Sequence, residues 1–409
     1  MFRALFSASV LAFAPVTAQA FESCAATALA KPGSDVAEEG SNPVLFDGWI
    51  YGGYVQNTKV FVFANKDGAA AGTPFVLYQG GRSFNLRLAA AGKSVYATWI
   101  QGDKGDLHLM FAVSHKHGAA GSWSTPAALT PSAHNLQQIS ADGHRIHIAY
   151  LTEDANVAVL NSIDGGHSFL APVIVGAGWG EIVVSGLAQD VYVSWNVKRT
   201  DKIFDVMSAV SNDGGKTFTT PANMTASRPG GAVEPILYID HKSKRVSLVW
   251  RENGPILGYY LRSTDRGHAW SAPLAVGSAP ARQYMVVDDG KTIYVSYLVE
   301  AKIGTTPDWQ IYLATSSDGG TSFTPGTNLS GPTGISALFN DDERPMPWTG
   351  HKGVFRLTAV EADGVYEWEG KNGTIAGPTF LGPGKLASPA GNASVWLGPN
   401  KIATYGVCR

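Results

Sequence analysis

The sequence predicts an all-β chain that repeats one four-stranded sheet around a centre, a β-propeller of seven blades. Three observations predict it. The composition is rich in glycine and aromatics and poor in charge, one turn motif recurs at near-constant spacing, and one strand motif recurs between the turns.

Of 409 residues, 47 are glycine and 22 proline; aromatics reach 11% and charged residues only 16%. That balance suits short strands joined by tight turns. Net charge is −2, with no basic stripe or tail, which excludes nucleic acid as an expected partner.

The turn motif has four clear copies. They are Ser162-Ile-Asp164-Gly-Gly166-His-Ser168-Phe169, Ser211-Asn-Asp213-Gly-Gly215-Lys-Thr217-Phe218, Ser263-Thr-Asp265-Arg-Gly267-His-Ala269-Trp270 and Ser316-Ser-Asp318-Gly-Gly320-Thr-Ser322-Phe323. Their spacings are 49, 52 and 53 residues. A decayed copy begins at Ser114, with Lys116 in place of the aspartate and Ser122-Trp123 closing the turn; a remnant lies near Asn65-Lys-Asp67-Gly68. An aspartate can accept backbone N–H bonds just ahead of it, and glycine supplies the backbone angles such a turn needs. The hydroxyl bonds across the loop, and the aromatic ring plugs into the layer between sheets. Asp164, Asp213, Asp265 and Asp318 are therefore read as structural.

The strand motif lies between the turns. Its copies start at Val95, Ile146, Val191, Val246 and Ile293, with weaker ones at Val354 and Ile402, spaced 45 to 61 residues apart. β-branched and aromatic residues dominate them, as a strand requires. Seven copies give seven blades, or six if one weak copy is a decoration. The N-terminal run Trp49 to Phe63 and the C-terminal strand are expected to join as one blade and so close the ring.

Residues 1–20 read as a signal peptide: Arg3, an apolar stretch, then Ala18-Gln19-Ala20 as a cleavage site. Residues 21–409 are expected to form a single propeller domain, secreted or periplasmic, with no membrane span. The two cysteines, Cys24 and Cys408, sit at opposite ends of that domain. An oxidising compartment favours their pairing, and closure of the ring would bring them together.

The four turns resemble the Asp-box, or BNR, repeat of the sialidase-like superfamily, from about Trp49 to Phe323 and more faintly beyond. The resemblance implies a propeller whose Asp-box turns face away from any active site. In sialidases it further implies three arginines that grip a substrate carboxylate, a tyrosine nucleophile with a glutamate beside it, and an aspartate acid/base. No Arg-Ile-Pro segment of the kind that opens that family precedes the first turn here.

A site is expected on the loops opposite the turns. They carry Arg82, Trp179, Glu181, Lys198, Arg199, Arg228, Arg251, Arg282 and Arg344. Arginine forks bind carboxylates bidentately. Arg82, Arg251, Arg282 and Arg344 are the candidate ligand-binding residues, and Tyr284, Glu252, Glu300 and Glu343 the candidate catalytic ones. His115, His117, His144 and His147 lack a further ligand at metal spacing, and Asp341-Asp342-Glu343 lacks the alternation of a calcium loop. Neither a metal nor a cofactor is expected. The sequence supports a monomeric binding protein that presents its loops to a glycan, a small anion or an exported protein. A sialidase-type exo-glycoside hydrolase and an architectural or assembly factor are the alternatives.

Overall fold

The structure is a computed structural model. It describes most of residues 39–330 and the strands between 346 and 404. Residues 1–38, 67–73, 331–345 and 405–409, with several shorter loops, lie outside the described residues. The signal peptide, Cys24, Cys408, the Asp67-Gly68 remnant, Glu343 and Arg344 fall there.

Among the described residues every regular element is a strand. The strands assemble in chain order into eight antiparallel sheets. Sheet 1 covers 39–79, sheet 2 83–130, sheet 3 137–177, sheet 4 182–223, sheet 5 232–276, sheet 6 281–328, sheet 7 346–382 and sheet 8 385–404. Sheets 2 to 7 each have four strands in sequence order. Sheet 1 is four positions wide, because Glu39–Gly40 and Val44–Phe46 both pair with Trp49–Gln56. The structure thus has seven sheets of four-strand width, and sheet 8 adds three short strands.

The expected blade shared by the chain ends is not what the described strands form. Trp49–Gln56 is the second strand of a sheet complete in itself, and Ile402–Thr404 pairs only within sheet 8. The strand motif is missed in sheet 1 because Gly52 and Gly53 interrupt it. A side chain at Gly52 would collide with the Phe63 ring, 2.2 Å from a Cβ built there. The ring fills the space that a β-branched residue would occupy.

The second strands explain the stacking. Val95–Ile100, Ile146–Leu151, Val191–Asn196 and Val246–Trp250 are buried without alternation. Unbroken burial means that both faces of the sheet are covered. Apolar clusters accordingly bridge consecutive sheets: Tyr96 and Phe111 of sheet 2 pack with Ile148 and Leu160 of sheet 3, and Val249 and Tyr260 of sheet 5 with Val286 and Val295 of sheet 6. From sheet 1 to sheet 7, the first strand of each sheet lies against the first strand of the next. The arrangement is propeller-like.

Each sheet has two unlike ends. At the turn end, Ser162, Ser211, Ser263 and Ser316 donate to Oδ1 of Asp164, Asp213, Asp265 and Asp318 at 2.7–2.8 Å. The same serine oxygens accept the N–H of Gly166, Gly215, Gly267 and Gly320. The residue four places after each aspartate donates its N–H to Oδ1 at 2.9–3.0 Å. The hydroxyls of Ser168, Thr217 and Ser322 donate to Oδ2, a bond that Ala269 cannot make. The turn aromatic then crosses to a neighbouring sheet: Phe169 meets Phe111 edge-on at 5.0 Å, and Phe323 meets Tyr260 at 4.9 Å. At the other end, the loop end, second strands turn into third strands and the chain enters the next sheet. Val246 is opposite Ser263 at the turn end, and Arg251 is opposite Gly258 at the loop end.

These bonds set a pH dependence. Burial pushes the Asp213 carboxyl up, but bonds from Thr217, Ser211 and the Lys216 amide outweigh it and bring its pKa down to about 2. A folded pKa below the unfolded value near 4 adds stability that is complete above about pH 4 and is lost as pH falls toward 2. Asp213→Ala is expected to lower unfolding free energy by about 1–2 kcal/mol at pH 7, with much less difference near pH 2.5. Urea denaturation of both proteins at the two pH values checks it. An equal loss at both would remove the carboxylate from the account.

Candidate functional site

The loop ends of sheets 4 and 5 bring together three ion pairs. Their placement begins with a backbone irregularity. The first strands of sheets 2, 5 and 6 are bulged at the same position, between Phe84 and Arg87, Val233 and Ile236, and Arg282 and Met285. The residue at each bulge is left-handed: Asn85, Glu234 and Gln283, with φ of 56°, 60° and 54°. A bulge re-aims side chains at the rim of a sheet.

At Glu234 the bulge is stitched to its neighbours. The Glu234 N–H donates to Glu181 Oε2 of sheet 4 at 2.6 Å. Asn196, also of sheet 4, donates to the Ala232 carbonyl at 3.0 Å. The Glu234 carboxylate accepts from Arg251 at 3.0 Å, and Arg251 also donates to Asn253 at 2.9 Å.

Two further pairs flank it. Arg228 approaches Glu252 at 3.2 Å and lies over the Tyr259 ring, 3.7 Å from its centroid. Arg199 lies 3.6 Å from Asp205, which also accepts from Asn223 and Thr225. In both pairs the acid lies deeper: side-chain exposure is 24% for Arg228 against 6% for Glu252, and 32% for Arg199 against 5% for Asp205. At the loop end of sheet 4, Trp179 is 52% exposed, and the Lys198 ammonium sits 4.4 Å from its ring centroid. The outer layer of this surface is cationic and aromatic, and its counter-charges lie beneath.

The residues singled out in sequence fall as follows. Arg251 and Glu252 both belong to this surface, Arg251 bonding Glu234 and Glu252 facing Arg228. Burial pushes the Glu252 carboxyl up, and Arg228 pulls it back. Arg82 is exposed over Phe84, 5.6 Å from the ring centroid. Arg282 is half-buried opposite Leu298, and Glu300 is exposed opposite Trp309. Tyr284 is buried: it is 1% exposed, stacked on Tyr297 at 5.1 Å, and its hydroxyl donates to the Val276 carbonyl at 3.3 Å. Burial raises its pKa well above that of a free phenol. This environment gives Tyr284 a packing role and no access to a substrate. The sequence reading did not single out Asp205, Glu234 and Tyr259. The one available signal for Glu234 is a polar residue two places after a small one at the start of a first strand, as in Ser83-Phe-Asn85 and Ala281-Arg-Gln283. No cluster of three or more metal-ligating side chains occurs among the described residues, and no helix there is long and apolar enough to cross a membrane.

The Arg228–Glu252 pair makes a signed prediction. Arg228→Met leaves a buried carboxylate without its counter-charge, at a cost of about 2–3 kcal/mol near pH 8. The carboxyl then titrates still higher in the folded state, so stability is lost as pH rises through that value, and the deficit shrinks toward pH 4. Adding Glu252→Gln to the variant is expected to recover most of the loss. Thermal melting across that range checks it; a deficit that does not change with pH would disconnect the two residues.

No family model matches the chain, and no curated protein matches it. Solved structures do resemble it. The polysaccharide lyase Uly1 is 9% identical, with a TM-score of 0.53 over 90% of this chain and 92% of that one. The polysaccharide lyase PL25 ulvan lyase, bound to -[GlcA(1-4)Rha3S]-, is 14% identical, with a TM-score of 0.50 over 86% of this chain and 94% of that one. The phage phi92 endosialidase is 10% identical, with a TM-score of 0.46 over 81% and 74%. At these identities the likeness to the two lyases is one of fold, and the fold this chain shares with them is the propeller-like stack of sheets.

Proposed function

We propose that this chain is an exported Asp-box propeller that binds an anionic glycan on the loop ends of sheets 4 and 5. One observation carries the reading: at the loop end of sheet 4 an exposed indole, Trp179, has the Lys198 ammonium over it, and at the loop ends of sheets 4 and 5 Arg199 and Arg228 pair with more deeply buried carboxylates. An aromatic plane takes the apolar face of a sugar ring, and exposed cationic donors take a carboxylate or sulfate. The buried acids fix the arginines in place, which reduces the ordering cost of binding. Neighbours of the same fold that are polysaccharide lyases are consistent with such a ligand, as is the resemblance of the four turns to the Asp-box repeat. A sialidase-type reaction through Tyr284 has no support from its burial.

Binding of polyuronate, sulfated and neutral polysaccharides by isothermal titration tests the reading. The acidic chains are expected to bind and the neutral ones not, with affinity falling as salt rises. Trp179→Ala and Lys198→Ala are each expected to weaken binding about tenfold, near 1.4 kcal/mol. Preference for neutral chains, or binding indifferent to Trp179, would overturn the site. Appearance of new reducing ends or unsaturated sugars would make the protein an enzyme acting at that surface. Export carries its own expectation: mass spectrometry of non-reduced fragments should join the peptides of Cys24 and Cys408, and two free thiols in exported protein would refute the pairing.

A further inference from the structure

The turn end between sheets 2 and 3 departs from the others. In sheet 2 the turn over 114–123 has no aspartate. Ser114 Oγ accepts the N–H of Lys116 and Gly118 and shares a 2.6 Å bond with Ser122, while Trp123 donates to the Gly118 carbonyl. The residues beside the missing aspartate are histidines, and they face opposite ways. His117, with φ of 52°, stacks on Trp49 of sheet 1 at 4.4 Å and shares a 2.8 Å bond with Tyr51. It anchors the turn. His115 faces sheet 3: its ring lies 5.2 Å from that of His167, and its Nδ1 is 2.9 Å from Ser94 Oγ. His144 joins them, because a Cβ built on Gly165 would lie 3.5 Å from His144 and 3.6 Å from His115.

Between this turn and the next lies a groove of about 640 Å³. That volume falls within the roughly 300–1,000 Å³ typical of small-ligand sites. Its lining combines two half-buried aromatic side chains, Trp123 and Phe169, with exposed polar ones, His115, Thr125, His167 and Ser168. Phe169 is held edge-on against Phe111, and Trp123 by its bond to Gly118, so both planes are fixed. His167 and Thr125 hydrogen-bond to no other described residue. Burial, and then the neighbouring His167 and His144, lower the pKa of His115, which favours its neutral form at neutral pH. A neutral imidazole both donates and accepts. Fixed aromatic planes beside donor–acceptor groups match a pyranose ring, which offers a C–H face and a rim of hydroxyls.

We propose that this groove is a second carbohydrate site, taking one neutral hexopyranose residue, with Trp123 and Phe169 as stacking surfaces and His115, His167 and Thr125 as hydrogen-bonding groups. It shares no residue with the loop-end surface and stands whether or not that surface binds a glycan. The groove has no arginine or lysine lining, so its ligand differs in charge from the anionic one assigned to the loop end.

The test uses the full mature chain carrying Trp179→Ala, which removes the loop-end contribution. Cellohexaose, maltohexaose, mannohexaose and chitohexaose are titrated while the imidazole resonances are followed by NMR. At least one sugar is expected to shift His115 and His167 together. Adding His167→Ala and Thr125→Ala is expected to weaken that binding about tenfold with the melting temperature nearly unchanged, since neither side chain hydrogen-bonds to another described residue. If no hexasaccharide moves either imidazole, or if the added substitutions leave affinity as it was, the groove is not a sugar site. The loop-end reading fails on a different result, the indifference of acidic-glycan binding to Trp179 itself.

Discussion

The second strands of sheets 2 to 5 are buried on both faces, and that constraint governs the rest. A sheet buried on one side can leave the other to water; these cannot. Val95–Ile100 and Ile146–Leu151 place consecutive side chains on alternate faces, and all of them are buried. A stack in which each sheet covers its neighbours satisfies such strands. The polar side chains within those strands, such as Thr98, His147 and Ser194, are buried, so polar groups open to solvent gather at the strand ends.

The two ends meet that confinement differently. At the turn end the aspartates are saturated by their own loops: Asp318 accepts from Ser316, Thr321 and Ser322 within a single turn. Such a carboxylate has little left to offer a ligand. At the loop end the charged groups bond across elements. Glu181 reaches from sheet 4 to the bulge of sheet 5, and Arg228 and Arg199 lie above acids on neighbouring strands. The turn of sheet 2 is the exception that fits the same logic. Without an aspartate to bind its loop, it turns His117 back onto sheet 1 and leaves His115 facing outward.

What could be read from sequence follows the range of the interactions. The turns at Asp164, Asp213, Asp265 and Asp318 were legible because each is closed by residues within four places of the aspartate. The second strands were legible because their burial is continuous and so is their apolar pattern. Sheet 1 was not, since Gly52 answers to Phe63 on the adjoining strand, a packing demand that no local pattern reveals. At the candidate site, Arg251 and Glu252, singled out by residue type, each take part in an ion pair at the loop end of sheet 5. Glu234 and Asp205 went unnoticed because their partners lie across strands and sheets. For Tyr284 the sequence shows the phenol and not the stacking with Tyr297 that buries it.

Exposure separates two uses of one ion pair. Arg245 and Asp288 join sheets 5 and 6 at the turn end, with side-chain exposures of 11% and 0%. Their role is a clip between sheets, and desolvation of the carboxylate opposes it. Arg228–Glu252 and Arg199–Asp205 have equally buried acids but more exposed bases. A buried pair adds little net stability over well-packed apolar residues, so stability alone does not account for placing two such pairs at one seam. What the arrangement does supply is orientation. A guanidinium on a flexible chain loses rotamer freedom when it grips a ligand, and an acid beneath it has already taken that freedom away. The same acids that weaken the case for these residues as stability elements also hold their guanidinium groups in fixed positions.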